Sequence, residues 1–381
     1  AQCYKIAIDK GNSNSMNNYA LMLQNGDGIP KNIEEAIKYY KMAIERGDPV
    51  AMSNYGTLLS ESKDIPANKE EAVKYFKMSS DKGFSEGMYN YAISLYKGFE
   101  ILADQKEAFK YFKMAVDKDN TNAMFYYAEM LSRGQNVQVN KEEANKYYKI
   151  AADRDHKEAC FNYAQILLEG DGIPVDVEEA VKYFKKSIAL NDDNAMNSYA
   201  LMLQKGNLIP ANKEEAVKLY KMAIDRGNTH AMVNYALMLS DGDGIPKDCE
   251  KAIELLKEAI QKGDPKAMYN YGYFLQEGIG VPVNIEEALK YYKMGMERGD
   301  KSSAINYARI YENGYGVPAD TELAKKIYLD LVDKGCVLGM ASIAWLYRKG
   351  LGVEKDCQKA AEYYKMATEK GFCQAMVYYA D

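Results

Sequence analysis

The sequence predicts an all-α fold, an α/α superhelical solenoid of helix-turn-helix repeats, and three observations support this prediction. Tyr19 marks a position that returns every 36 residues without an insertion or deletion. Each 36-residue unit contains two stretches with the apolar spacing of a helix. The second stretch follows Asn or Asp and usually ends at Gly, as capped helices do. A fixed period of this size is typical of solenoids, whose units bury their apolar faces against their neighbours.

Ten full repeats and two partial ones account for the whole chain. The Tyr19 position returns as Tyr55, Tyr91, Tyr127, Tyr163, Tyr199, Tyr235, Tyr271, Tyr307, Ile343 and Tyr379. The full repeats are 12–47, 48–83, 84–119, 120–155, 156–191, 192–227, 228–263, 264–299, 300–335 and 336–371, with partial repeats at 1–11 and 372–381. Because solenoids grow by addition, we expect 1–381 to form one domain without internal linkers. Layers of about 10 Å would give a surface about 100 Å long.

The first helix of each repeat is predicted from its cap and its apolar face. In the second repeat, Asp48 can cap the free N–H groups, and Pro49 suits the first helical position. Met52, Tyr55 and Leu59 then follow at the spacing of one helical face. We therefore expect this helix to begin near Asp48.

The second helix has a sharper start and a clear end. Its cap is always Asn or Asp, and Glu35 stands three residues after Asn32, as in a capping box. Gly47 then ends the helix in the left-handed conformation. The other caps are Asn68, Asp104, Asn140, Asp176, Asn212, Asp248, Asn284, Asp320 and Asp356.

Composition excludes several classes of function. The net charge of −6 is mild and both signs mix along the helices, which does not favour nucleic acid or an anionic membrane as a partner. No apolar run reaches the roughly 18 residues of a membrane span. The six cysteines do not recur once per repeat, which favours a reducing compartment, and we expect a cytoplasmic location.

The chain starts and ends within predicted helices, and we interpret it as a piece of a longer protein.

The repeat also resembles a known family. Three stretches carry the likeness: Ala51-Met-Ser-Asn-Tyr-Gly-Thr-Leu-Leu, the loop Gly26-Asp-Gly-Ile-Pro, and Glu35-Ala-Ile-Lys-Tyr-Tyr-Lys-Met-Ala-Ile-Glu-Arg-Gly47. They are similar to the Sel-one-like repeat (SLR) family, a relative of the tetratricopeptide repeats. The resemblance implies a superhelix whose first helices line a concave face, and a role as an adaptor or scaffold.

No constellation of residues in the sequence indicates catalysis, a cofactor or a metal. The two histidines, His156 and His230, lie at unrelated repeat positions without a Cys/His cluster. No phosphate-binding glycine loop and no catalytic triad order occurs. The sequence therefore predicts that this chain is not an enzyme and binds no cofactor or metal.

A recurring asparagine precedes the marker tyrosine in seven repeats, and it has two interpretations. The series is Asn18, Asn54, Asn90, Asn162, Asn234, Asn270 and Asn306. Buried amides must be paired, so the repetition indicates a role. By resemblance to tetratricopeptide domains, these residues would bond the backbone of an extended peptide in the groove. Alternatively, each bonds its neighbouring repeat and fixes the stacking.

Aromatic residues interrupt the otherwise small or polar groove positions, and aromatic side chains with Arg are favoured interface anchors. The strongest candidate runs from Tyr89 to Phe161, flanked by Asn90 and Asn162; the alternative is extra packing between repeats. The predicted partner-binding residues are Asn54, Tyr89, Asn90, Tyr96, Phe125, Tyr126, Phe161, Asn162, Asn234, Asn270, Tyr273, Asn306 and Trp345.

The function predicted from these residues is a non-catalytic protein–protein interaction scaffold or adaptor. It would bind other proteins or extended peptide segments on the concave face, without nucleic acid and without a membrane span. Two alternatives remain open. The chain is either a structural component packed against other proteins or itself, or a regulatory segment of a larger protein whose catalytic domain lies outside it.

Overall fold

The computed structural model describes residues 1–98 and 102–372, and this part of the chain contains 21 α-helices and no strand. Most of the predicted partial repeat 372–381 lies outside the described residues. The helices are α1 Gln2–Asp9, α2 Ser13–Asn25, α3 Ile33–Glu45, α4 Pro49–Glu61, α5 Lys69–Asp81, α6 Ser85–Lys97, α7 Gln105–Val116, α8 Thr121–Arg133, α9 Lys141–Asp153, α10 Lys157–Glu169, α11 Val177–Ala189, α12 Asp193–Lys205, α13 Lys213–Asp225, α14 Thr229–Asp241, α15 Cys249–Gln261, α16 Pro265–Glu277, α17 Ile285–Glu297, α18 Lys301–Asn313, α19 Thr321–Asp333, α20 Val337–Lys349 and α21 Cys357–Glu369.

The helices pack as a series of hairpins, which confirms the predicted all-α solenoid. The first helix of a repeat packs on the second helix of its own repeat and on the second helix of the preceding one, as α4 packs on α5 and α3. First helices of successive repeats also approach each other, as α2 approaches α4 and α14 approaches α16. By Cα packing the chain forms two compact units, one spanning Ala1–Ala195 and the other beginning at Met196, and each is described by itself below.

The caps of the second helices are as predicted, but the reciprocal bond of the capping box differs. Asn32 Oδ1 accepts from the backbone N–H of Glu35 at 3.0 Å. The Glu35 carboxylate in turn accepts from the Asn32 side-chain amide at 3.4 Å, not from its backbone N–H. That backbone N–H donates to the carbonyl of Leu23 at 2.8 Å. The cap residue therefore joins the two helices of its repeat as well as starting the second.

The second helices end in the left-handed region, as the glycines predicted. Gly47 has a φ of +79°, and two aspartates that replace the terminal Gly adopt the same conformation, Asp119 at +65° and Asp155 at +63°. Asp is one of the few non-Gly residues that visit this region. The chain direction after each hairpin is therefore preserved where the glycine is lost.

Candidate partner-binding surface

Four polar side chains form two hydrogen-bonded pairs, one within repeat 1 and one between repeats 1 and 2. The buried Tyr40 of α3 donates its hydroxyl to Gln24 Oε1 at 2.8 Å. Asn54 of α4 donates through Nδ2 to Asn17 Oδ1 at 2.9 Å, across a separation of 37 residues. We call Asn17, Gln24, Tyr40 and Asn54 a polar quartet, and the side on which the first helices of the two repeats meet the first-helix face.

A second polar quartet occupies the same repeat positions in repeats 6 and 7. Tyr220 donates its hydroxyl to Gln204 Oε1 at 2.8 Å. Asn234 donates to Asn197 Oδ1 at 2.9 Å, again 37 residues apart. The arrangement is therefore one reproducible way to join neighbouring repeats.

An aromatic quartet replaces all four polar residues in repeats 3 and 4. It consists of Tyr89, Tyr96, Phe112 and Tyr126, at the positions of Asn17, Gln24, Tyr40 and Asn54. Phe112 is fully buried and stacks on Tyr126, with ring centroids 5.4 Å apart and an interplanar angle of 9°. Tyr126 lies 6.0 Å from both Tyr89 and Tyr96, measured between centroids. The three tyrosines are only half-buried, so they present one aromatic surface on the first-helix face.

Further rings support this surface from behind. Phe125 is only 8% exposed. Its ring stacks on His156 at 4.7 Å and contacts Tyr148 edge-on at 5.9 Å. Phe125 thus lies beneath the surface beside Tyr126, whereas Phe161 is half-buried and lies 6.1 Å from Phe184.

Electrostatics distinguish the aromatic quartet from a neutral apolar patch. Burial raises the pKa of Tyr89, and the nearby phenol of Tyr126 and the carboxylates of Glu86, Glu61 and Glu158 raise it further. The hydroxyl of Tyr96 donates to Gln135 Oε1 at 3.0 Å. The tyrosines are therefore neutral hydroxyl-bearing rings in an environment of negative charge.

The asparagine series follows one rule, set by the residue 37 positions earlier in the chain. Where that residue is Asn17, Asn197 or Ser53, the asparagine donates to it, as Asn90 does to Ser53 Oγ at 3.1 Å. Where it is the apolar Val233, Asn270 instead donates to the carbonyl of Lys266 in its own helix at 2.8 Å.

Two further asparagines follow residues with rings, Phe125 and Tyr269, and each contacts a hydroxyl on the second helix of the preceding repeat. Asn162, which follows the apolar Phe125, shares a hydrogen bond with the hydroxyl of Tyr148. Asn306 donates to the hydroxyl of Tyr292 at 3.1 Å. Each of these two amides thus contacts a tyrosine of the preceding repeat. The stacking interpretation of the series thus has direct support, and the peptide-binding interpretation remains a prediction.

The candidate residues of the second unit do not form one continuous aromatic cluster. Tyr273 is 39% exposed and lines a cavity with Tyr269 and Asn306. Trp345 is half-buried and lies under Lys349, whose ammonium is 4.7 Å from the ring centroid. A neighbouring cavity includes Trp345 in its lining.

Sequence reasoning missed three members of the aromatic surface, Phe112, Tyr148 and His156. Phe112 and Tyr148 lie on second helices, while the prediction considered first helices alone. A signal was present, because residues at the Tyr40 and Asn54 positions meet in other repeats, as Tyr292 and Asn306 do. An aromatic residue at the Asn54 position, such as Tyr126, could have indicated contact with the ring at the Tyr40 position of the preceding repeat.

Within the described part of the chain, no group of three or more His, Cys, Asp or Glu side chains could hold a metal ion. Every helix there is too short or too polar to span a bilayer.

Stacked hairpins of 36 residues, joined through side chains on the first-helix face, define an α/α repeat protein. The chain belongs to the Sel1 repeat family, whose model matches residues 13–48, 49–84, 85–120, 121–156, 157–192, 193–228, 229–264, 265–300, 301–329 and 337–372. This match confirms the resemblance found in the repeat sequence.

Two solved structures share the fold. One is c5321, a protective antigen of uropathogenic Escherichia coli strains that displays an SLR fold. It is 21% identical, with a TM-score of 0.66 over 99% of this chain and 81% of that chain. The other is a Sel1 repeat protein from Oxalobacter formigenes, 20% identical, with a TM-score of 0.54 over 80% of this chain and 88% of that chain. No curated protein matches the sequence.

Proposed function

We propose that this protein is a non-catalytic interaction scaffold that binds extended segments of partner proteins on its first-helix face. Sel1 repeats typically mediate protein–protein interactions, and this chain consists of ten of them. The observation that carries the proposal is the aromatic quartet. Since polar quartets join repeats 1 and 2 and repeats 6 and 7 in the same register, repeat stacking does not require aromatic residues at these positions.

The aromatic quartet has the properties of an interface anchor. Tyrosine offers a large apolar ring with a hydroxyl and is enriched at binding hot spots. Tyr126 is held between Phe112 and Phe125, so its ring loses little conformational entropy when a partner binds. A partner segment would place an apolar side chain against Tyr89, Tyr96 and Tyr126.

The surrounding carboxylates favour a basic residue in that segment. Glu61, Glu86 and Glu158 act on Tyr89, whereas Glu129, which acts on Tyr126, is already paired with Arg133. Complementary charge raises the association rate and excludes acidic competitors. We therefore expect segments with Lys or Arg next to the apolar anchor.

Transplanting the polar quartet tests this function. The variant Y89N/Y96Q/F112Y/Y126N carries the residues that the chain itself uses at Asn197, Gln204, Tyr220 and Asn234. Peptides from a displayed random library, selected on the wild-type chain, should lose at least about 30-fold in affinity for this variant. Such a loss corresponds to a hot spot of about 2 kcal/mol.

The control is L208N, which removes an exposed leucine in the other unit and should leave the selected peptides bound. Both variants should keep the wild-type helix content by circular dichroism. If the transplanted variant binds the peptides as wild type does but melts much earlier, the quartet serves packing and the proposal is wrong.

A further inference from the structure

The second unit contains a cleft between the first helices α16 and α18, separate from the aromatic quartet. Its volume is about 610 Å³, and its lining includes Tyr269, Tyr273, Tyr315, Asn306 and Arg309. Tyr273 and Tyr315 are exposed, at 39% and 53%. The cleft therefore offers aromatic surface with a single arginine within it.

The guanidinium of Arg309 has no carboxylate partner among the residues that the structure describes. Two other exposed arginines do have one: Arg133 pairs with Glu129 at 3.0 Å and Arg154 with Asp119 at 2.7 Å. Arg309 therefore keeps its planar set of donors available to a ligand.

Glu277 lines the cleft and Glu312 lines the adjacent cavity, and each accepts a hydrogen bond from a neutral donor. Glu277 accepts from the side-chain amide of Gln276 at 2.9 Å. Glu312 accepts from the hydroxyl of Tyr328 at 2.7 Å. The Asn306 amide donates to Tyr292 at 3.1 Å. Arg309 is the cationic side chain in the cleft's lining, so an anionic group that enters the cleft would pair with it.

The space around Arg309 continues beyond the cleft. Arg309 and Asn313 also line an adjacent cavity of about 410 Å³, together with Leu338 and Trp345. A chain can therefore extend past Arg309 on both sides. This geometry fits a side chain in the middle of a segment better than a chain terminus.

We propose that the cleft between α16 and α18 binds an extended partner segment through an acidic side chain, whose carboxylate pairs with Arg309. An adjacent aromatic side chain of the segment packs against Tyr269 and Tyr273. Arginine binds carboxylates in a planar, bidentate manner, which gives specificity over a neutral amide of the same shape. This site is additional to the partner site at the aromatic quartet, and neither depends on the other.

Three capped dipeptides test the site on the full chain by saturation-transfer NMR. They are acetyl-Phe-Glu-amide, its neutral isostere acetyl-Phe-Gln-amide, and acetyl-Phe-Gln with a free C-terminus. Wild type should bind the Glu peptide at least about tenfold more tightly than either other peptide, as a charge-assisted pair predicts. Y273S should weaken all three peptides because the aromatic contact is lost.

Variants of two unpaired arginines complete the test. R309Q should abolish the preference for Glu, R309K should retain part of it, and R298Q, at the exposed C-terminal end of α17, should retain all of it. Equal binding of the Glu and Gln peptides overturns the proposal, as does equal loss in R298Q and R309Q. If the peptide with the free C-terminus binds more tightly than the Glu peptide, the ligand is not a side chain. If none of the three peptides shows saturation transfer, the site does not exist.

The quartet variant Y89N/Y96Q/F112Y/Y126N should bind all three peptides as wild type does, which separates this site from the scaffold proposal.

Discussion

Tyr126 lies against Tyr89 with ring centroids 6.0 Å apart, at the register where Asn234 donates to Asn197 in repeats 7 and 6. One residue pair thus joins successive first helices in both places, and its chemistry changes from amide–amide to ring–ring. Because the backbone register is shared, each type of pair serves as an internal control for the other.

The amide pair should show measurable coupling. Asn234→Ala leaves Asn197 Oδ1 without its donor, so we expect a loss of about 1 kcal/mol in the free energy of unfolding. Asn270→Ala should cost less, since its amide bonds a carbonyl of its own helix instead of the preceding repeat. A double-mutant cycle between Asn197 and Asn234, analysed with a nearest-neighbour model, should give about 0.5–1.5 kcal/mol. Zero coupling would mean that the bond does not stabilise the stacking.

The sequence alone predicted the repeat register and the helix caps, because Asp48, Asn32 and Gly47 act within one or two turns of the chain. It did not predict which way each asparagine turns. That choice depends on a residue 37 positions earlier, as the contrast between Asn90 and Asn270 shows. The burial of Phe125 was missed for the same reason, since its ring packs on His156 of the next repeat.

Tight contacts between repeats should respond to paired substitution. A Cβ on Gly87 would lie 2.5 Å from the Cβ of Ser79, closer than packed side chains allow. Gly87→Ala should therefore destabilise the first unit by about 1–3 kcal/mol through overpacking. The double variant G87A/S79A has the residues of the pair Ala51 and Ala43, both fully buried in repeats 2 and 1. It removes the Ser79 Oγ, which is the atom nearest to the added Cβ, but keeps the Cβ at position 79, so it should recover part of the loss in urea denaturation.

The reverse arrangement provides a control for that rescue. Gly295 faces Ser303 with the small residue on the preceding second helix, where an added Cβ would lie 2.9 Å from the serine Cβ. G295A/S303A should likewise be less destabilised than G295A. If neither second substitution recovers stability, the glycines are needed for another reason, such as helix geometry.

His156 should make stability depend on pH. Its Nδ1 accepts from the backbone N–H of Ala159 at 3.3 Å as an N-cap, which requires the neutral ring. Burial lowers the pKa of His156, against an opposing effect of Glu158, while Lys157 lowers it further. The unfolded state thus binds the proton more readily than the folded state. The contribution of neutral His156 to the free energy of unfolding is therefore fully present above the unfolded pKa of about 6.5, and it is lost as the pH falls through the lower pKa of the folded state.

The matched variant for this pH effect is His156→Asn, which keeps an accepting cap, as Asn120 and Asn228 do in other repeats, but cannot titrate. As the pH falls from 7 to 5, the melting temperature of wild type should decrease by more than the melting temperature of H156N. A difference that is independent of pH would show that the ring is not protonated on unfolding in this range.

Removal of one whole repeat should preserve the fold and create a new amide pair. Deleting 228–263 joins Gly227 to Asp264, which caps α16 as Asn228 caps α14. Asn270 then follows Asn197 at the register now held by Asn234, so its amide should turn from the Lys266 carbonyl to Asn197 Oδ1. We expect a soluble, cooperatively unfolding protein, somewhat less stable because Lys213 and Gln204 lose Asp243 as a partner.

The new pair gives this deletion a specific measurement. Asn270→Ala should destabilise the shortened chain by about 1 kcal/mol more than it destabilises the full chain, because only the shortened chain has the bond across repeats. Deleting 228–257, which is 30 residues, breaks the 36-residue period and turns the following apolar face away from its neighbour, so this chain should aggregate or bind a hydrophobic dye. If both deletions fold equally well, or if Asn270→Ala has the same effect in both contexts, the pairing rule drawn from Asn54, Asn90 and Asn234 does not govern how the repeats join.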